Sequence, residues 1–211
     1  GAHGAGTAAM IGTAALLRRP AFWAMCLGAG FLNATGITGV SHLVAFVAER
    51  GVATEEAAGL LSIVGGASVI GSLLIGFLCG RLGSARTLAL IAVTLATSWL
   101  VMLGTTTFAL LAAAGLLMGA AGAGVFPAVN MLSGRLFGIE SLPRVIGLFG
   151  LVTLPLTFCM PPLAGVVRDI VNGYDPVVVF LIGGCAAMAV LFFAMARGAA
   201  HAVGLAEAPA A

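Results

Sequence analysis

Charged side chains are so sparse in this chain that they divide it into long uncharged runs, and the lengths of those runs leave few folds open. Pro20 to Ala48 is an uncharged run of 29 residues, and Ala57 to Gly80 is one of 24. The interval between Arg86 and Arg135 holds 48 uncharged residues, Arg144 to Arg168 bounds 23, and Asp175 to Arg197 bounds 21. A helix of about 20 apolar residues crosses the roughly 30 Å of a bilayer's hydrocarbon. Four runs therefore have the length of one span, and the 48-residue run has room for two. Its natural break is the polar, β-branched turn Gly104-Thr105-Thr106-Thr107. The sequence predicts an all-α fold: an integral membrane bundle of six transmembrane helices.

Composition agrees and excludes the alternatives. Apolar residues make up 61% and charged residues 8%, against roughly 25% charged in soluble domains, and the mean hydropathy is +1.19. There is no lysine, and nine arginines against seven acids give no basic face for a nucleic acid. The glycines follow no fixed period and the cysteines number four, which excludes collagen and a disulfide scaffold. Cys26, Cys79, Cys159 and Cys185 all fall within spans without a CxxC pair, the pattern of small buried hydrophobes.

Arginine placement orients the spans. Arg18, Arg19, Arg81, Arg86, Arg135, Arg144 and Arg197 fall on one side, and Arg50 and Arg168 fall on the other with five of the acids. The positive-inside rule then puts both termini in the cytoplasm. The chain divides into an unstructured cytoplasmic linker (1–19), a six-span domain (20–197) and a cytoplasmic tail (198–211). The first segment lacks a signal peptide's charge order, since its arginines follow the apolar stretch. With no methionine at Gly1, it reads as a linker cut from a longer chain.

Small residues recur at helical spacing. Ser68, Ser72, Gly76 and Gly80 on the second span, and Gly115, Gly119, Gly122 and Gly124 on the fourth, are expected to let helices approach closely. Pro127, Pro155, Pro161 and Pro162 lie inside spans and each removes a backbone donor. Polar groups at membrane depth are few and are functional candidates by default. Thr35, Thr38 and His42 share one face of the first span, with Asn33 nearly opposite. Ser72, Asn130 and Thr153 complete the candidates for a substrate cavity. His42 is the one ionisable group among them, and so the best single candidate for a proton or substrate contact. No catalytic set is legible: GxSxG and paired Asn-Pro-Ala boxes are absent, and His, Cys and carboxylates are too scattered for a metal. The expectation is no enzyme, no cofactor and no metal.

The stretch Gly76-Phe77-Leu78-Cys79-Gly80-Arg81-Leu82-Gly83-Ser84-Ala85-Arg86 resembles the cytoplasmic signature of the major facilitator superfamily. Gly76, Arg81, Gly83 and Arg86 match it, and Gly80 stands where the family usually carries Asp. His42 to Gly51 followed by Glu55-Glu56-Ala57-Ala58-Gly59 is similar to the outer loop after the family's seventh helix, and Gly134 to Gly138 to the loop before the eleventh. Pro162 to Tyr174 resembles the turn between the last two helices. In order, these motifs run from about Arg18 to Arg197 and fall on the family's carboxyl-terminal half, closest to the monocarboxylate and oxalate/formate-like branches.

The resemblance implies a secondary transporter of a small solute, an organic anion in those branches, working by alternating access. Its first, second, fourth and fifth spans would face the cavity. It implies a gating role for the Gly76–Arg86 loop, with Glu140 as an acid within reach of its arginines. The implied partners are the substrate, protons, membrane lipid and a missing amino-terminal six-helix half, with no nucleic acid, and the implied location is the cell's inner membrane. An accessory six-span subunit without transport, and a half-size carrier that dimerises, are the rival readings.

Overall fold

The computed structural model describes residues 10–206, with side chains through Gly198. Its helices are α1 (Thr13–Leu17), α2 (Pro20–Glu49), α3 (Thr54–Leu82), α4 (Ser84–Gly104), α5 (Phe108–Ala123), α6 (Val125–Phe137), α7 (Leu142–Val171) and α8 (Asp175–Ala206). A single 3₁₀ turn, Ile139–Ser141, precedes α7. Taken with α5 and α6 as one broken span, six helical segments are long and apolar enough to cross a membrane. The all-α membrane bundle is the architecture found, and α4 ends and α5 begins on either side of the Thr105–Thr107 turn.

Local chemistry sets the boundaries. Pro20 opens α2, where its missing N–H costs nothing. Between α3 and α4 the chain reverses on Gly83 alone, at φ +85°, with its N–H bonded to the Cys79 carbonyl. A side chain would be strained in that left-handed conformation, so the turn itself demands this glycine. Asn172 closes α7 in the αL region, which asparagine tolerates best after glycine. The fourth span breaks at Gly124, which caps both α5 and α6. Pro127 follows three residues later, and its ring cannot sit against the Ala123 carbonyl of a continuous helix.

Helix α2 is central, touching α3, α5, α6, α7 and α8, while α3 lies along α5 and α4 along α8. The α3–α5 crossing is set by glycines. A Cβ at Gly71 would collide with the Ala120 backbone, and one at Gly119 with the Val64 backbone. Gly122 has open space beside it, but the other three members of the fourth-span stripe pack as expected, Gly119 against the Val64 backbone, Gly115 against the Val64 side chain and Gly124 against Ile75.

The second-span stripe does not. Only Ser68 meets α5, bonding toward the Gly119 carbonyl, while Ser72, Gly76 and Gly80 are exposed. An i, i+4 row drifts about 40° per step on a helix of 3.6 residues per turn, so three steps carry it round to the outer surface. The packing face of α3 is instead Ala57, Leu60, Val64, Ala67, Gly71, Ile75 and Cys79. Cysteine burial also differs at one position: Cys26, Cys79 and Cys185 are buried, but Cys159 is exposed on α7.

Within the expected linker, Thr13–Leu17 is a helix, and Leu16 is completely buried. Both backbone groups of Ile11 are held: its N–H donates to Ser141 Oγ (3.0 Å) and its carbonyl accepts from Arg144 (3.0 Å). Ser141 stands at the N-cap of α7 yet makes no cap bond, its hydroxyl being given to this strap. Helix α8 runs through Ala206, past the expected start of a tail at 198, and residues 1–9 and 207–211 lie outside the described residues. Ser141→Ala orphans the Ile11 N–H, at a cost of about 1 kcal/mol. Amide exchange across Ile11–Leu17 is expected to rise about fivefold in that variant, measured by hydrogen–deuterium exchange.

Candidate functional site

Small residues on three helices leave a groove of about 300 Å³ between α2, α3 and α5. Asn33, Gly36, Ile37, Val40 and Ser41 form the α2 wall, recurring at the three- and four-residue spacing of one helix face. Helix α3 contributes Ser68, and α5 contributes Met118, Gly119, Gly122 and Ala123. Gly36 and Gly122 create the space, for a Cβ at either would have no neighbour within 4 Å.

The polar groups of the groove are neutral. Ser68 Oγ lies 2.8 Å from the Val64 carbonyl and 3.2 Å from that of Gly119. One hydroxyl hydrogen serves those two acceptors, which leaves the oxygen's lone pairs for a ligand donor. Asn33 Nδ2 donates to Thr157 Oγ1 on α7 over a long 3.4 Å, and its amide oxygen is an additional acceptor. An amide and two hydroxyls on an apolar wall can orient a small polar solute. With no ionisable side chain in the lining, the groove wall moves no proton by itself.

Other candidates lie elsewhere. Thr35 and Thr38 are buried, and neither hydroxyl has a hydrogen-bond partner among the described residues. Thr38 borders a second cavity of about 480 Å³ between α2, α7 and α8, whose remaining lining is apolar. Thr153 spends its hydroxyl on the Phe149 carbonyl of its own helix (2.8 Å) and packs its methyl against Gly30. Ser72 likewise bonds the Val69 carbonyl of α3. Hydroxyls in apolar helices commonly turn back to their own backbone in this way. Asn130 lines a third cavity, beside Arg135 at the far end of α6.

His42 joins α2 to α7. Its Nε2 lies 2.9 Å from the Pro161 carbonyl and its Nδ1 lies 3.0 Å from the Tyr174 hydroxyl. A carbonyl only accepts, so Nε2 carries the hydrogen and Nδ1 accepts from Tyr174. Burial pushes the Tyr174 phenol above the ordinary tyrosine range, against the opposing pull of Arg168, so it remains a donor. Around this pair Glu49 bonds Arg168, and Arg50 bonds both Asp175 and the Leu103 carbonyl. The acid-bearing end of the bundle is thereby tied across α2, α4, α7 and α8. Sequence spacing alone could not show that both imidazole nitrogens are already engaged.

The Gly76–Arg86 stretch is helical apart from Gly83, with Cys79 and Ser84 buried and Gly76, Gly80, Arg81 and Arg86 on the surface. Arg81 stacks over the Phe77 ring at 4.8 Å, and Arg86 lies in the first turn of α4. A Cβ at Gly83 would lie 3.4 Å from Arg135 Nη1, which places the loop beside the α6 terminus. Arg81 and Glu140 form no ion pair among the described residues. Glu140 sits exposed in the 3₁₀ turn, which points it into solvent.

Ser41 and Ser68 line the groove without being among the residues that the sequence marks as cavity candidates. Ser41 sits eight residues from Asn33, a two-turn spacing that could have flagged it, and Ser68 has the spacing of a packing residue. The groove takes residues from α2, α3 and α5, and α7 reaches it only through the Asn33–Thr157 bond.

No curated protein matches the chain. The sequence profile of the Major Facilitator Superfamily matches residues 26–209, a stretch that includes the groove, the Gly76–Arg86 loop and all but the first turns of the six-span bundle. The chain is a member of the Major Facilitator Superfamily, a family of membrane transporters.

Proposed function

We propose that the chain is the carboxyl-terminal half of a secondary active transporter that moves a small solute by alternating access. The observation that carries this reading is the groove between α2, α3 and α5, open on one flank and floored by glycine. In a twelve-helix carrier this flank faces the amino-terminal half, and the substrate lies between the two. Because this wall offers Asn33, Ser41 and Ser68 but no charge, an organic anion would have its charge met by the other half. This half would read the solute's shape and neutral polar groups. The seven arginines at one end support an orientation with both termini cytoplasmic, in the cell's inner membrane that the family resemblance implies. Protons, if coupled, would be carried by groups outside the groove wall.

The test is uptake into proteoliposomes, screening radiolabelled carboxylates, sugars and amino acids. The chain alone is compared with the chain joined to its amino-terminal half. Uptake only in the joined form, reduced at least tenfold by Asn33→Leu, is the expected result. Equal uptake by the chain alone would identify a half-size carrier, and no uptake in either would favour an accessory subunit.

A further inference from the structure

At the arginine-bearing end, separate from the groove, a cavity of about 420 Å³ opens between the end of α6 and the start of α7. Its lining divides chemically: Arg135 and Asn130 are polar, while Met131, Ile139 and Leu142 are apolar. Ile139 is 77% exposed in the turn between the two spans. The ion pairs found among the described residues all lie at the opposite end of the bundle, and among those residues Arg135 has no carboxylate within 4 Å. Two other arginines at this end are committed differently, Arg144 to the Ile11 carbonyl and Arg81 to the Phe77 ring. An uncommitted guanidinium beside large exposed apolar side chains, where a membrane span ends, matches an amphiphile with an anionic head. A free inorganic anion would satisfy Arg135 and leave Ile139 and Met131 in water.

We propose that this cavity binds the head group of an anionic phospholipid. The phosphate pairs with the Arg135 guanidinium, whose planar fork suits a phosphate's oxygens. The Asn130 amide donates to the same head group, and the acyl chain runs along Met131 and Ile139. Basic pockets between spans are a recurrent form of lipid recognition. Such a lipid would bridge the α6 terminus to the turn that leads into α7, at the place where Arg135 also approaches Gly83 of the cytoplasmic loop.

The full chain is purified from mixed phosphatidylcholine and phosphatidylglycerol, and retained lipids are counted by native mass spectrometry. Arg135→Gln is expected to lower the preference for phosphatidylglycerol about fivefold, the size of one near-surface cation's contribution, and Asn130→Ala to lower it in the same direction. Arg197→Gln, at the same end but away from the cavity, is expected to leave it unchanged. Melting in phosphatidylcholine alone identifies any variant that has lost its fold, and either cavity variant suffices for the comparison. Unchanged retention in the folded cavity variants would overturn the proposal. So would an equal loss in Arg197→Gln, which means general charge attraction, or full displacement by excess inorganic phosphate, which means an anion site without lipid. Loss of the preference when the amino-terminal half is joined would overturn it in favour of that half as the occupant.

Discussion

Leucine at Gly71 or Gly119 is expected to lower the melting temperature of the bundle far more than leucine at an exposed glycine. At both positions the first added atom meets the backbone of the facing helix: Ala120 for Gly71, Val64 for Gly119. A flexible side chain could turn aside from such an atom, but a helix backbone moves only as a unit. The crossing must therefore widen, and every neighbouring contact along α3 and α5 loosens with it. Overpacking of this kind costs about 3 kcal/mol or more, corresponding to a fall of roughly 6–12 °C in melting temperature for a chain of this size. Gly76→Leu is the internal control. It lies on the exposed side of α3 with nothing within 4 Å of its Cβ position, and its melting temperature is expected to stay within about 2 °C of the parent. Equal losses at Gly71 and Gly76 would show that the close approach of α3 to α5 does not govern these glycines, since leucine raises helix propensity at both.

Leucine at Gly36 is expected to have the largest effect on transport with the smallest effect on stability. The position lines the groove, and an added side chain meets no protein atom at its first carbon, so the bundle is not forced apart. The side chain instead occupies space that a solute would use, in a groove of only about 300 Å³. A transport rate at least tenfold lower, with a melting temperature unchanged, is the expected pair of readings in the joined carrier. Gly122→Leu, across the groove on α5, should behave the same way. Normal transport by both variants would move the substrate path away from this groove.

The architecture was legible because membrane spans are specified by coarse quantities, namely run length, charge position and a polar turn. Thr105–Thr107 separated two spans from a 48-residue run without any finer information. The candidate site was less legible because it depends on which face of each helix turns inward, and an apolar helix carries no amphipathic signal to say so. On α2, helical spacing gathers Thr35, Thr38 and His42 into a polar cluster, yet that face packs within the bundle, and the groove is lined from the Asn33 and Ser41 side. On α3, the four-residue row of small residues suggested a packing stripe. Helical drift takes that row to the surface and leaves Gly71, outside the row, as the point of contact. Glycine identity was visible in both cases, but the helix it meets was not. The docking of Ile11 onto Ser141 and Arg144 was also beyond the sequence, because a backbone N–H and carbonyl leave no mark in a side-chain pattern.

Transport through the α2–α3–α5 groove requires that it belong to an aqueous path between two halves, and not to the lipid-facing exterior. Water-soluble thiol reagents test this in membranes holding the joined carrier. Cys159 is first replaced by serine, since it is the exposed native thiol, while Cys26, Cys79 and Cys185 are buried. Single cysteines are then placed at Asn33 and Ser68 in the groove, and at Leu100 on α4 and Val190 on α8, which are 58% and 70% exposed on the opposite helices. Rapid labelling at 33 and 68 by a charged, membrane-impermeant reagent, with little labelling at 100 and 190, is the predicted result. Labelling at 33 and 68 as slow as at the two outer positions would contradict the aqueous path and place the groove against lipid.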